Sequence, residues 1–166
     1  MIICLWGRSM GAVAGNTIID SALRYTKKND NVNMAVYDSP FSSLRQLAIE
    51  IGKEKTRFPK FLIQLFLDYV KPIIAEKAKF NIDDLDITKD MDKIKVPGIF
   101  IGSMRDQLVP FRQVEELFQL YRSKKEMFLI EEEHNEPRSK TSIEKVFKSI
   151  KKHINATEHE VIHMQT

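Results

Sequence analysis

Short apolar runs alternate with longer stretches of helical periodicity along this chain. The runs that are short and continuous enough to be buried strands are residues 2–6, 34–37, 98–102 and 126–130. Apolar residues at three- and four-residue spacing predict helices over 10–27, from Pro110 onward, and over 143–154. Because strands and helices alternate, we expect an α/β fold, a mostly parallel sheet with helices on both of its faces.

Residues 41–80, between the second and third predicted strands, are predicted to be a helical insertion that is similar to a cap. The apolar positions in it that share one broad face are Phe58, Phe61, Leu62, Leu65, Phe66, Tyr69, Val70 and Ile73. Such a face is typical of a helix that packs on the core, and contact with a membrane is the alternative. Pro59 suits the first turn of this helix, whereas Pro72 predicts a kink or an end.

Composition places the chain among ordinary globular domains. With 166 residues, 43% of them hydrophobic and 30% charged, it is long enough for one domain with its own core. The net charge of +3 is too small to indicate a nucleic-acid partner, and the basic residues form no stripe. Cys4 is the only cysteine, so no internal disulfide can form, and the cytoplasm is the predicted compartment.

No targeting or membrane-spanning segment is predicted. The apolar start of the chain lacks a basic region before it, unlike a secretory signal. No run reaches the roughly 20 apolar residues that a membrane span needs. Peripheral contact with a membrane or lipid is left open as a prediction.

The first predicted strand leads into Gly7-Arg8-Ser9-Met10-Gly11, a Gly-x-Ser-x-Gly pattern. In this pattern a serine lies on a tight turn from strand to helix, where bulk two positions away collides with neighbouring backbone. Glycines at positions 7 and 11 are expected to relieve that collision. The first N–H groups of the following helix lack intrahelical acceptors, so they are candidate donors to an oxyanion. A turn without any chemistry is the alternative interpretation.

Two further polar residues follow predicted strands. Asp106 comes shortly after the third strand, and His134 comes shortly after the fourth. Because the carboxyl ends of parallel strands meet at one edge of a sheet, we expect Ser9, Asp106 and His134 to lie together there. Histidine can accept a serine proton near neutral pH, and a carboxylate can fix its tautomer. The three residues therefore predict a nucleophile, an acid and a base.

Each member of this set has an alternative. Asp38 also ends a strand and is the alternative acid, although a turn or helix cap before Pro40 is the favoured interpretation of it. Asp106 is also placed to cap the helix that begins near Pro110. His134 follows three glutamates, which are typical of a solvated loop. Metal ligation is not predicted, although residues 159–163 match His-Glu-x-x-His, because that pattern lies at the chain end without a third ligand.

The order of these motifs is similar to that of the C-terminal half of an α/β-hydrolase. The stretches that carry the resemblance are Gly7-Arg8-Ser9-Met10-Gly11, Asp38-Ser39-Pro40-Phe41, residues 102–110 and His134-Asn135-Glu136-Pro137-Arg138. Together they span nearly the whole chain in the order and spacing of the family. The sequence most resembles the branch of serine esterases, thioesterases and monoglyceride-lipase-like enzymes, which includes serine aminopeptidase-like members.

The resemblance implies a serine hydrolase that needs no cofactor. By it, Ser9 is the nucleophile, Asp106 the orienting acid and His134 the general base and then acid, while the Met10 N–H donates to the oxyanion. The implied reaction cleaves an ester, thioester or amide through an acyl-enzyme. The family favours lipid-like acyl esters or acylated proteins as substrates, and the aromatic helix in 41–80 is compatible with them.

The resemblance also implies that half of such a fold is missing. We expect about four strands beginning at the elbow, with residues 1–155 forming the C-terminal half of the domain and 156–166 a tail. The loop that gives the second oxyanion donor belongs to the missing half. A missing N-terminal half or a dimer partner is therefore predicted to complete the sheet. The alternative function is a non-catalytic interaction module built on the same half-fold.

Overall fold

A computed structural model describes residues 3–14 and 32–163, with side chains described as far as Ile154. Its centre is a four-stranded sheet in the order β1-β2-β3-β4. The strands are β1 (Cys4–Arg8), β2 (Met34–Asp38), β3 (Gly98–Ser103) and β4 (Lys125–Ile130). Every neighbouring pair is parallel, so all four strands end at the same edge. This arrangement confirms the predicted fold class.

Helices occupy the connections between the strands. A helix begins at Met10 directly after β1 and is described to residue 14; the rest of the predicted 10–27 helix lies outside the described residues. The other helices are α1 (Leu44–Thr56), α2 (Lys60–Ala78), α3 (Phe111–Leu120) and α4 (Lys140–His163). Two 3₁₀ turns, Ile87–Lys89 and Met91–Lys93, lead from α2 back toward β3. The His159 and His163 side chains are not among those described.

The sheet divides the core into two clusters, because alternate residues of each strand point to opposite faces. On one face Tyr37 and Phe100 stack with their ring centroids 4.8 Å apart, and they pack with side chains of α1 and α3. On the other face Val36 and Ile101 pack against α4. The two central strands, β2 and β3, are therefore buried on both faces, which is why their sequences are largely apolar runs, whereas β1 and β4 are only partly buried.

The predicted helical region 41–80 contains two helices. Arg57 takes a left-handed backbone conformation with φ of 58° and ends α1, and Pro59 is the N-cap of α2. Helix α2 then continues through Pro72 to Ala78, so Pro72 does not end the helix. Proline has no N–H, so the carbonyl of Asp68, four residues earlier, lacks its helical donor. Both residues are exposed, so this carbonyl can bond to water.

The broad apolar face of α2 was expected to be core, and in the structure it is exposed. Ile63 is the one buried residue of this helix, and it packs on α1. Phe61, Leu65 and Phe66 are each more than 60% exposed. The expectation fails because α1 covers only one side of α2, while nothing in the described part of the chain covers the other. No described helix has the length and apolarity to cross a membrane.

Candidate active site

Ser9 lies at the turn between β1 and the helix that follows it. Its backbone has a φ of 53°, a left-handed conformation that a residue other than glycine rarely adopts. The Ser9 N–H donates to the Asp38 carbonyl oxygen at 2.8 Å, which joins the turn to the end of β2. A Cβ at Gly7 would lie 2.3 Å from the Gly11 carbonyl oxygen, so only glycine fits there. These features are compatible with the turn from strand to helix that the sequence predicts at Ser9.

Gly11 does not share the steric role of Gly7. A Cβ built at Gly11 has no described heavy atom within 4 Å of it. The expectation that both glycines relieve a collision therefore holds for Gly7 and is wrong for Gly11 among the described residues. Gly11 is exposed on the first turn of the helix, whereas Gly7 lies against the backbone of that turn.

Met10 is the first helical residue after Ser9. The N–H groups in the first turn of a helix have no acceptor within that helix, and the helix dipole favours negative charge beside them. The Met10 side chain is 48% exposed, so it does not seal this end of the helix from an incoming molecule. This placement is compatible with the predicted donor role of the Met10 N–H.

Asp106 lies in the loop after β3, and each of its carboxylate oxygens has a separate task. Oδ1 accepts from the Leu108 N–H at 2.9 Å and from the Val109 N–H at 2.8 Å. Oδ2 lies 2.7 Å from Nδ1 of His134. The carboxylate thus organises its own loop, whereas the N-cap of α3 is Pro110. Asp106 is therefore not the N-cap of that helix, which was the alternative interpretation.

His134 and Asp106 form a buried pair, with side chains 8% and 1% exposed. Burial raises the pKa of the Asp106 carboxyl, but the hydrogen bonds from His134, Val109 and Leu108 outweigh burial, and the pKa is lowered from its ordinary value. The carboxylate is therefore ionised at neutral pH. With Nδ1–H donating to it, the Nε2 atom of His134 is left free to accept a proton.

Asp38, the alternative acid, has a different partner. Its Oδ1 accepts from Nη2 of Arg138 at 2.6 Å, and Nε of the same arginine lies 3.1 Å away. Both side chains are buried, at 3% and 6% exposure. Arg138 also donates to the Ser39 hydroxyl and to the Glu133 carbonyl. The structure thus pairs His134 with Asp106, and it pairs Asp38 with an arginine that holds the histidine loop.

A second arginine joins the loop that carries His134 to the turn at Ser9. Nη2 of Arg8, the residue before Ser9, donates to the backbone carbonyl of His134 and, at 3.0 Å, to that of Glu136. Sequence reasoning gave neither Arg8 nor Arg138 a role. The signal that could have found Arg138 is Asp38 itself, because a carboxylate at the end of a buried strand needs a counterion.

Glu132 anchors the other side of the histidine loop. Its Oε1 accepts from the Ser139 N–H at 2.8 Å and from the Ser142 hydroxyl at 3.0 Å, at the start of α4. Burial raises the pKa of Glu132, but the hydrogen bonds from Ser139 and Ser142 lower it to about 2. The folded state therefore favours the ionised form of this carboxyl.

This lowered pKa predicts a pH dependence of stability. The stabilisation from Glu132 is fully present above its unfolded pKa of about 4.3 and is lost as pH falls toward about 2. Glu132→Gln is expected to lower the free energy of unfolding by about 1–2 kcal/mol near neutral pH and by little in acid. Urea unfolding across this pH range checks it, with the exposed Glu131→Gln as control. A loss independent of pH would contradict the assignment.

A groove of about 390 Å³ opens beside His134. Its lining includes Ile51 and Lys55 from the end of α1, Gln107 and Leu108 from the loop after β3, and Asn135 from the histidine loop. Apolar and polar side chains thus face each other next to the imidazole. A bound molecule in this groove would contact the histidine that is paired with Asp106.

No protein-family model matches the sequence, and none of the curated proteins compared with it matches. Among solved structures, α/β-hydrolase domain-containing protein 10 from mouse aligns with a TM-score of 0.63 at 14% identity, over 93% of this chain and 62% of that one. The acetyl xylan esterase from Paenibacillus sp. R4 aligns with a TM-score of 0.62 at 16% identity, over 90% and 44%.

The Pyrococcus furiosus esterase Pf2001 also aligns, with a TM-score of 0.51 at 23% identity, over 80% of this chain and 45% of the esterase. The chain therefore adopts part of the α/β-hydrolase fold. It spans about half the length of the two esterases and 62% of the mouse protein. These identities are low, so the likeness is one of fold.

Proposed function

We propose that this chain carries the catalytic triad of a serine hydrolase, with Ser9 as nucleophile, His134 as general base and Asp106 as orienting acid. The observation that carries the proposal is the buried contact of 2.7 Å between Asp106 Oδ2 and His134 Nδ1. Two backbone N–H groups hold the other carboxylate oxygen. The left-handed turn at Ser9 lies at the same sheet edge as this pair.

In the first half of the reaction, the Ser9 hydroxyl attacks the carbonyl carbon of an ester, thioester or amide. Its proton passes to Nε2 of His134, and the Asp106 carboxylate stabilises the imidazolium that forms. The Met10 N–H donates to the oxyanion of the tetrahedral intermediate. His134 then gives its proton to the leaving group as the bond to that group breaks, and an acyl-enzyme on Ser9 remains.

In the second half, His134 takes a proton from water as the water attacks the acyl group. The tetrahedral intermediate collapses, the proton returns to Ser9 Oγ and the acid product leaves. No step in this sequence needs a metal or an organic cofactor. Arg8 and Arg138 act by positioning, since they hold the backbone that carries His134.

Lipid-like acyl esters and acylated proteins are the substrates we propose. Ile51 and Leu108 give the groove beside His134 an apolar wall that suits an acyl chain. Gln107 and Lys55 supply polar groups at the same groove. Since the chain spans about half of the esterases it resembles, the remaining oxyanion donor and part of the substrate site are expected to come from further chain or from a partner.

Labelling with a fluorophosphonate probe tests the proposal, because such probes react with a serine that a neighbouring base activates. We expect covalent labelling of the folded chain, with the modified residue identified as Ser9 by mass spectrometry. Ser9→Ala is expected to abolish it. Ser123→Ala is the control and should be labelled as the unaltered chain is, because Ser123 bonds to the Lys95 carbonyl before β3 and β4 begin, at the opposite edge of the sheet.

Two results would contradict the proposal. The first is a folded chain that the probe does not label, which would favour the interaction module. The second is labelling that persists in Ser9→Ala.

A further inference from the structure

A buried glutamine lies at the start of α3, behind the groove beside His134. Gln113 is 0% exposed, although its side chain is polar. Its backbone N–H donates to the Pro110 carbonyl at 2.9 Å, so it continues directly from the loop that carries Asp106 and Leu108. Buried polar groups in proteins are almost always hydrogen-bonded, so the partners of this amide indicate its role.

The Gln113 side chain joins three segments of the fold. Its Nε2 donates to Glu50 Oε2 on α1 at 2.7 Å, and its Oε1 accepts from the Ser42 N–H at 3.1 Å. The Ser42 hydroxyl lies 3.4 Å from the same oxygen. Because a backbone N–H can only donate and a carboxylate accepts, these partners fix which end of the amide faces which segment. The amide therefore joins α3 to α1 and to the loop after β2 in one orientation.

Glu50 is held in place on α1 by two further contacts. Its side chain is largely buried, and its Oε1 accepts from Gln46 Nε2, one helical turn earlier, at 3.1 Å. Nη2 of Arg112 lies 2.5 Å from the same oxygen. Arg112 is mostly exposed, whereas Gln113 is shielded from solvent, so water weakens the arginine link to Glu50 more than the glutamine link.

The two ends of this link are close to the groove along the chain. Glu50 immediately precedes Ile51, which lines the groove from α1. Gln113 lies in the first turn of α3, shortly after Leu108, which lines the groove from the loop after β3. The spacing between these two apolar side chains therefore depends on how α1 is held against α3.

A hydrogen bond fixes such a spacing more closely than an apolar contact does, because its energy depends on both distance and angle. The start of α3 is itself fixed on β3, since a Cβ at Gly102 would lie 2.7 Å from the Phe111 ring. Helix α1, in contrast, packs mainly on α2. The bond from Gln113 to Glu50 therefore holds α1, and the groove wall on it, against the fixed end of α3.

We propose that Gln113 is a positioning residue that sets the fit of an acyl chain in the groove beside His134. By holding Glu50, it keeps Ile51 at the distance where this side chain contacts the methylene groups of the bound acyl chain. Gln113 is fully buried, so it acts through α1 and not by contact with the substrate. This inference rests on the proposed function, because it takes the groove to hold the acyl group that the proposed nucleophile attacks.

Labelling with two fluorophosphonate probes, one with a methyl and one with a decyl chain, tests the inference. The measured quantity is the ratio of their second-order labelling rates, decyl over methyl, which we expect to exceed about ten in the unaltered chain. In Gln113→Glu two carboxylates face each other and separate α1 from α3. The ratio should then fall at least about fivefold, because each methylene that loses its apolar contact is worth about fourfold.

A second substitution should restore the ratio. Adding Glu50→Gln to Gln113→Glu exchanges the amide and the carboxylate, so the bond between α1 and α3 can form again. We expect the double variant to recover the ratio to within about twofold of that of the unaltered chain. Where Gln113→Glu fails to fold, Gln113→Met removes the amide with little change in side-chain size, and it should lower the ratio as well.

Ser149→Ala is the matched control for the loss of a buried hydrogen bond. Ser149 is buried and bonds to Glu126, which joins α4 to β4 on the other face of the sheet. This variant should lower the free energy of unfolding and leave the ratio of labelling rates unchanged. A merely structural role of Gln113 would make its variants behave in the same way, with both probes affected equally.

The outcomes separate this inference from the proposed function. An unaltered chain that neither probe labels would overturn the proposed function and this inference with it. Labelling of the unaltered chain at a ratio near one would overturn this inference alone. So would an unchanged ratio in the folded Gln113 variants, a failure of Glu50→Gln to restore the ratio, or an equal change of the ratio in Ser149→Ala.

Discussion

Asp106→Asn is expected to reduce the rate of ester hydrolysis and of fluorophosphonate labelling by about 10⁴-fold, with little loss of stability. The asparagine Oδ1 can still accept from the Leu108 and Val109 N–H groups, so the loop keeps its hydrogen bonds. The new amide group, however, would face Nδ1 of His134. The imidazole must then accept at Nδ1 and carry its proton on Nε2, where it can no longer take the proton of Ser9.

Asp38→Asn is the matched variant, and it should show the opposite pattern. Removing the charge leaves the buried guanidinium of Arg138 without its counterion, which is expected to lower the free energy of unfolding by about 3–5 kcal/mol. Adding Arg138→Met to Asp38→Asn removes that charge and should recover part of the loss. Urea unfolding gives the stability, and the labelling rate of the folded fraction gives the activity.

The comparison of these two variants identifies the acid. If Asp38 served His134, Asp38→Asn would lower the rate by orders of magnitude in chains that remain folded, and Asp106→Asn would not. That result would overturn the assignment of Asp106. An equal rate loss in both variants would show that the carboxylates act through loop position alone.

Gly7→Ala is expected to destabilise the fold by about 3 kcal/mol or more. The added Cβ would lie 2.3 Å from the Gly11 carbonyl oxygen and 2.6 Å from the Ala12 nitrogen. Both are backbone atoms, so no rotamer change can relieve the contact, and β1 must separate from the helix that follows Ser9. Urea denaturation followed by circular dichroism measures the loss.

Gly11→Ala is the control for that prediction, and it is expected to change stability by less than about 1 kcal/mol. The Cβ meets open space among the described residues, and alanine favours a helix more than glycine does. Equal destabilisation by both substitutions would contradict this prediction, because a Cβ at position 11 would then have to meet close contacts as well.

The two central strands of the sheet were predictable because they are buried on both faces. Met34, Val36 and Ile99 pack against one layer of helices, and Ala35 and Phe100 pack against the other. Each of these two strands therefore appears in the sequence as a largely apolar run, and the polar residue after a strand marks the edge of the sheet. This is how Asp106 and His134, which are separated by 28 positions, could be placed side by side from the sequence.

The features that sequence reasoning missed depend on contacts between distant segments. The bond from Arg8 to the His134 carbonyl joins a side chain to a backbone atom, and no local pattern indicates it. The exposure of Phe61 and Phe66 could not be predicted either, because periodicity shows that a face is apolar but not what covers it. Likewise, the direction of the missing Cβ at Gly11 follows only from the three-dimensional turn.

The link between Arg8 and His134 also affects how the site assembles during folding. These residues are 126 positions apart, whereas β3 and β4 are joined by the short connection through α3. Contacts with small sequence separation close with less loss of chain entropy, so we expect β3, α3 and β4 to associate before β1 adds at the edge. Activity would then appear in the last kinetic phase of refolding, after most of the native circular dichroism has returned.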